Sequence, residues 1–60
     1  MESDTEYFRR RASEERTAAL QARDTRVRKA HVEMAERYED FVRGISEHEQ
    51  FLGLRSVTAP

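Results

Sequence analysis

The chain has 60 residues, which allow one small domain at most. It contains no cysteine, which excludes disulfides and thiolate metal sites and favours a reducing, cytoplasmic setting. Charged residues make up 38% of the chain at a net charge of -1, and no apolar run is long enough to cross a membrane. The acidic start, Met1 to Glu6, is not typical of a secretory signal, so we expect neither a leader nor a membrane partner.

The first predicted helix covers about residues 4–23. Ser3 and Glu6 have the spacing of a capping box, which indicates a helix start. The positions that follow at steps of four, three, four and three define one face of a helix. They are Phe8, Ala12, Glu15, Ala19 and Ala22. Because this stripe is mostly alanine, it offers a thin surface to whatever packs on it.

A break in the hydrophobic pattern predicts a turn at about residues 24–25. The step from Ala22 to Val27 is five residues, which a continuous helical stripe does not allow. The break falls on Asp24 and Thr25, two residue types that favour helix N-caps over helix interiors. The chain is therefore predicted to fold back on itself there.

The second predicted helix covers about residues 26–43 and carries the bulky side chains. Its stripe consists of Val27, His31, Met34, Tyr38, Phe41 and Ile45. Gly44 favours an end of this helix, followed by a helical turn at about residues 46–52. The alternative is a helix that continues, because His48 and Leu52 stay in phase with the stripe. Residues 54–60 are predicted to form a flexible tail.

These elements predict an all-α fold, an antiparallel two-helix hairpin over residues 1–53. A reversal near residue 24 pairs positions whose numbers sum to about 49, so Phe8 would meet Phe41 and Glu15 would meet Met34. The thin alanine stripe buries little apolar area in a lone hairpin. We therefore expect the chain to dimerise into a four-helix bundle.

Glu15 and His31 interrupt the two stripes and lie about one turn apart in the paired helices. A histidine beside a carboxylate can act as a general base with its orienting group, or as a polar contact that sets the register of the helices. We favour the register pair, because nothing else in the chain resembles a nucleophile or an oxyanion hole. No zinc-ligand spacing is present. The sequence thus predicts no enzyme, catalytic residue, small-molecule substrate, metal or cofactor.

The charges are segregated along the chain. Residues 9–29 hold eight basic and three acidic side chains, whereas residues 31–50 hold two basic and six acidic ones. The basic patch consists of Arg9, Arg10, Arg11, Arg23, Arg26, Arg28 and Lys29. It could contact nucleic-acid phosphates, meet the acidic end of a second copy, or remain solvated. The sequence leaves these three interpretations open.

One pattern of residues extends across both helices: an aromatic residue, Arg-Ala, Glu and small residues, then His-x-x-x-Ala-x-x-Tyr. It is carried by Phe8, Arg11, Ala12, Glu15, Ala19, His31, Ala35 and Tyr38. This pattern resembles a group of short uncharacterised alphaproteobacterial helical-hairpin proteins, which often place a proline where this chain has Thr25-Arg26. The resemblance implies a bacterial origin and a helical hairpin, and it carries no known activity.

The predicted function is that of a small non-enzymatic protein-interaction module. Its interaction face would be formed by Phe8, Met34, Tyr38, Phe41 and Ile45. The partner would be a second copy, giving a homodimer, or a larger bacterial protein. Tyr7 and Leu20 lie off the first stripe and could form a second apolar surface. The alternative is a nucleic-acid-associated accessory protein that uses the basic bend.

Overall fold

The computed structural model describes the backbone of residues 1–58 and the side chains of residues 1–51. It contains two α-helices, α1 (Asp4–Gln21) and α2 (Thr25–Thr58), which pack against each other in antiparallel directions. The predicted all-helical hairpin is therefore confirmed for the described residues.

The start of α1 is capped as its sequence predicts. The Ser3 hydroxyl accepts a hydrogen bond from the Glu6 backbone N–H at 3.1 Å. Asp4 and Glu6 place negative charge in the first turn, where the helix dipole favours it. The helix ends at Gln21, because Ala22 adopts an extended conformation with φ -70° and ψ 134°. This end lies two residues before the predicted one.

The connection between the helices spans residues 22–24 rather than 24–25. Asp24 is the cap of α2: its Oδ1 accepts from the backbone N–H groups of Arg26 at 2.7 Å and Val27 at 3.3 Å. Thr25 is already helical. Arg28 Nη2 donates to the carbonyl of Ala22 at 2.9 Å, so a side chain of α2 also holds the end of α1.

The second helix is longer than predicted. It runs without interruption from Thr25 to Thr58, so the favoured end near residue 43 with a separate turn over 46–52 is wrong, and the alternative of a continuing helix is confirmed. A glycine in a helix interior costs only about 1 kcal/mol relative to alanine, which a continuous ladder of backbone hydrogen bonds outweighs. Residues 54–58 of the predicted tail belong to α2, and residues 59–60 lie outside the described residues.

The core of the hairpin is thin. The buried apolar side chains are Ala12, Ala19 and Ala35, and Glu15 is buried among them. No large side chain is fully buried within the described residues. The molecule measures 57 × 23 × 10 Å, so the two helices form a layer one helix thick. Both broad faces of that layer are consequently open.

Candidate functional site

Four aromatic rings from both helices meet on one face of the hairpin. Phe8 stacks on Phe41 with ring centroids 5.0 Å apart and on Tyr38 at 5.9 Å, and Tyr7 meets Phe8 edge-on at 5.3 Å. We call these four residues the aromatic cluster. It remains open to solvent, because Tyr7 is 41% exposed and Phe41 is 55% exposed.

The aromatic cluster continues into a groove on the same face. Met34, Arg37, Tyr38 and Phe41 line this groove, whose volume is about 290 Å³. Of the five predicted interaction-face residues, Phe8, Tyr38 and Ile45 are half-buried, whereas Met34 and Phe41 are exposed. The structure thus brings Phe8, Tyr38 and Phe41 into ring contact and places Met34 beside them.

A polar array of Arg11, Glu15 and His31 lies next to the cluster. His31 Nδ1 donates to Glu15 Oε1 at 2.6 Å, and Arg11 Nη2 donates to Glu15 Oε2 at 2.9 Å. The hydrogen bond from His31 is the largest cause that lowers the pKa of Glu15, burial opposes it, and Arg11 adds to it. The Arg11 guanidinium also lies 5.3 Å from the centre of the Tyr38 ring.

The array contains the predicted register pair, because Glu15 is hydrogen-bonded to His31. Phe8 also stacks on Phe41, as the predicted pairing of the helices requires. Both oxygens of Glu15 are hydrogen-bonded, and the residue is 7% exposed. The carboxylate therefore joins the two helices through one hydrogen bond to each of them.

The opposite face carries a second, smaller groove that we call the Leu20 groove. It is lined by Arg16, Ala19, Leu20, Arg28 and Val32. Met34 lines the first groove and Val32 lines the Leu20 groove. These two residues are two positions apart, so they lie about 200° apart around the axis of α2, and the two grooves are on opposite faces. Leu20 is 86% exposed there, so Tyr7 and Leu20 do not share one surface.

An ion pair between the helices borders the Leu20 groove. Arg16 donates from Nε and Nη2 to the two carboxylate oxygens of Glu39, at 3.0 and 2.7 Å. This pair was not predicted from the sequence. Its only sequence signal is the opposite charges beside the two stripes, a pattern that many other pairs in this chain share.

The predicted basic patch is divided in the structure. Arg10 bonds to Glu2 and Glu14, and Arg11 bonds to Glu14 and Glu15, so carboxylates compensate much of the charge on α1. At the bend, Arg23, Arg26, Arg28 and Lys29 are exposed. No carboxylate in the described part of the chain forms an ion pair with these four residues.

Acidic side chains dominate the surface of α2 beyond the bend. A shallow depression there is lined by Glu33, Glu36, Arg37, Glu39, Asp40 and Arg43. Arg43 pairs with Asp40 on the same helix. The molecule therefore has a basic bend, and its acidic depression lies along the middle of α2.

Three further observations bear on the site. Within the described residues, no group of three or more His, Asp or Glu side chains could hold a metal ion. Over the same part of the chain, neither helix combines the length and apolarity that a membrane crossing requires. No protein-family model, curated protein or solved structure matches this sequence.

Proposed function

We propose that this chain is a small non-enzymatic protein-interaction module, whose aromatic face is covered by another protein surface. The observation that carries the proposal is the open aromatic cluster on a layer one helix thick. Helices that form stable domains bury their apolar stripe against a further layer, and this hairpin leaves the bulky part of its stripe uncovered. A second copy would supply that layer as part of a four-helix bundle.

The surface area of the hairpin supports the same proposal. Its accessible surface is 5147 Å². A compact monomer of 7.1 kDa exposes about 4,100 Å², so the hairpin exposes about 1,000 Å² more. A specific interface removes roughly 800 Å² from each partner. The excess is thus of the size that one interface covers.

The contacts of Glu15 support a structural role for the polar array. Its two oxygens accept hydrogen bonds from Arg11 on one helix and His31 on the other, and the residue is buried. The polar array is accounted for by joining the helices.

Sedimentation of the fluorescently labelled chain in a cell lysate tests the proposal. We expect the wild-type chain to sediment as a complex and Phe41→Gln to lose at least 90% of that complex. Leu20→Gln, an apolar-to-polar change at an exposed position on the opposite face, serves as the matched control and should keep the complex. A wild-type chain that sediments as a 7.1-kDa monomer would contradict the proposal.

A second candidate function rests on the uncompensated cations of the bend. Exposed arginine and lysine side chains without carboxylate partners can bind nucleic-acid phosphates. This function predicts binding to single-stranded RNA or duplex DNA whose affinity falls steeply as salt rises, and which Arg26→Gln combined with Lys29→Gln abolishes. An unchanged fluorescence anisotropy of both nucleic acids at low salt would rule it out.

A further inference from the structure

Gly44 has no steric role within the hairpin. It lies inside α2, and a Cβ built on it would meet nothing within 4 Å. Glycine in a helix interior is destabilising relative to alanine, so the isolated hairpin would gain from a side chain there. A glycine that internal packing does not require allows another backbone or a large side chain to approach closely.

The position of Gly44 relative to Phe41 indicates which group of a partner could lie over the glycine. Gly44 follows Phe41 by three residues, which places it about one turn further along α2 and about 60° around its axis. An exposed ring and a gap without a side chain therefore lie side by side. Such a surface is self-complementary, because the ring of one copy can occupy the gap of another.

The length of α2 favours a second copy arranged about this point. The midpoint of Thr25–Thr58 falls between Phe41 and Val42. Phe41 already stacks on Phe8 near the start of α1, so the second half of α2 extends beyond the shorter helix. Two antiparallel α2 helices that cross near residues 41–44 overlap along their full length. The second half of each α2, which extends beyond its own α1, then packs on the first half of the other α2.

The charges select the antiparallel orientation. The start of α2 carries Arg26, Arg28 and Lys29, whereas its middle carries an excess of carboxylates. Parallel pairing would place the basic segments of the two copies against each other, which is destabilising. Antiparallel pairing about residues 41–44 places the basic segments at opposite ends of the dimer and opposes the two helix dipoles, while the acidic segments stay near the two-fold axis in either orientation.

We propose that the aromatic face is covered by a second copy of this chain, with the α2 helices antiparallel about a two-fold axis, so that each Phe41 lies over Gly44 of the other copy. This inference rests on the proposed function and names its partner. The contact is isologous: the same patch serves both copies. The four helices then form a bundle with the two α2 helices at its centre.

Substitutions at Gly44 test the contact separately from folding. Gly44→Ala should raise the dimer dissociation constant about tenfold in sedimentation equilibrium, while the helical circular dichroism at 222 nm stays equal or increases. Gly44→Gln should abolish the dimer and remain helical. The matched control is Ser13→Gln, which adds the same side chain at an exposed position of α1 and should leave the dissociation constant unchanged.

Pulsed electron spin resonance tests the orientation and the register. Because the chain has no cysteine, a single introduced cysteine carries the only spin label. For Lys29→Cys, a helical rise of 1.5 Å per residue predicts a distance between copies of about 40 Å, and for Glu36→Cys about 20 Å. A parallel pair would give short distances at both positions.

The inference would be overturned by a purified chain that is monomeric at every concentration, by a dimer that Gly44→Gln leaves intact, or by short distances at both labels. A purified monomer that still forms a Phe41-dependent complex in lysate would overturn this inference and leave the proposed function standing. A wild-type chain that is monomeric when purified and in lysate would overturn both.

Discussion

Glu15 is the residue whose surroundings most constrain the hairpin. A buried carboxylate among alanines needs partners for its charge, and it obtains one from each helix. Arg11, one turn earlier on α1, reaches Glu15 and also lies over the Tyr38 ring. The polar array therefore links the charge inside the hairpin to the aromatic cluster on its face.

The lowered pKa of Glu15 predicts an acid-sensitive fold. The ordinary value is 4.5, and a carboxyl whose pKa is lower in the folded chain stabilises the fold above that value and loses this contribution as the pH falls through the folded pKa. We expect the midpoint of urea unfolding to be steady above about pH 5 and to decline below about pH 4.5. Circular dichroism in urea at pH 3–7 measures this profile.

The variant Glu15→Gln should be less stable at neutral pH and should decline less in acid. The remaining decline comes from Glu2, Glu14 and Glu39, whose pKa values are also lowered by hydrogen bonds from arginines. Glu33→Gln, which changes an exposed carboxylate on the outer surface, is the control and should keep the wild-type profile. A Glu15→Gln profile parallel to the wild type would contradict the prediction.

Among the elements, the helix starts were predictable because they depend on local chemistry. Ser3 and Asp24 accept hydrogen bonds from backbone N–H groups within the next three residues, so the neighbouring sequence contains what is needed to locate them. The five-residue step after Ala22 likewise identified the reversal. These features set the hairpin fold.

The features that could not be predicted depend on interactions beyond the local sequence. Gly44 weakens a helix locally, yet α2 continues through it, because the loss at one residue is small beside the hydrogen bonds on both sides. The ion pair of Arg16 with Glu39 depends on how the chain crosses residues 22–24 and how closely the alanines approach, whereas the Glu15–His31 pair was predicted from the two polar residues that interrupt the stripes. A periodic stripe defines a face of each helix and leaves the axial offset between two helices undetermined.

At the scale of one element, the cap of α2 should have a measurable effect on stability. Asp24→Ala removes the oxygen that accepts from Arg26 and Val27, and we expect a loss of about 1 kcal/mol in the free energy of unfolding. Asp24→Asn keeps an oxygen at the same place and should retain most of that stability. Urea unfolding followed by circular dichroism measures both. Equal losses in the two variants would contradict the capping role.

For the whole molecule, the most important property is that one copy buries little of the apolar surface of its large side chains. A layer 10 Å thick with three buried alanines gives one copy a small free energy of unfolding, which assembly increases. The hairpin supplies the geometry, and a covering surface supplies the missing burial. The stability of the fold should therefore depend on the concentration of the partner that supplies the covering surface.

The melting temperature of the purified chain should accordingly rise with its concentration. For a folded dimer that unfolds to two free chains, each tenfold increase in concentration stabilises the dimer by about 1.4 kcal/mol. Calorimetry over a hundredfold concentration range measures this dependence. Gly44→Gln is the control and should melt at a temperature independent of concentration. A wild-type melting temperature that does not change with concentration would contradict the prediction.

The placement of the tyrosines has a practical consequence. The chain has two tyrosines and no tryptophan, and both tyrosines belong to the aromatic cluster, each beneath an arginine guanidinium at 5.3 Å. Tyrosine emission from the native chain therefore originates at the candidate surface. The protein carries an intrinsic optical reporter of that face, which needs no attached dye and leaves the sequence unaltered.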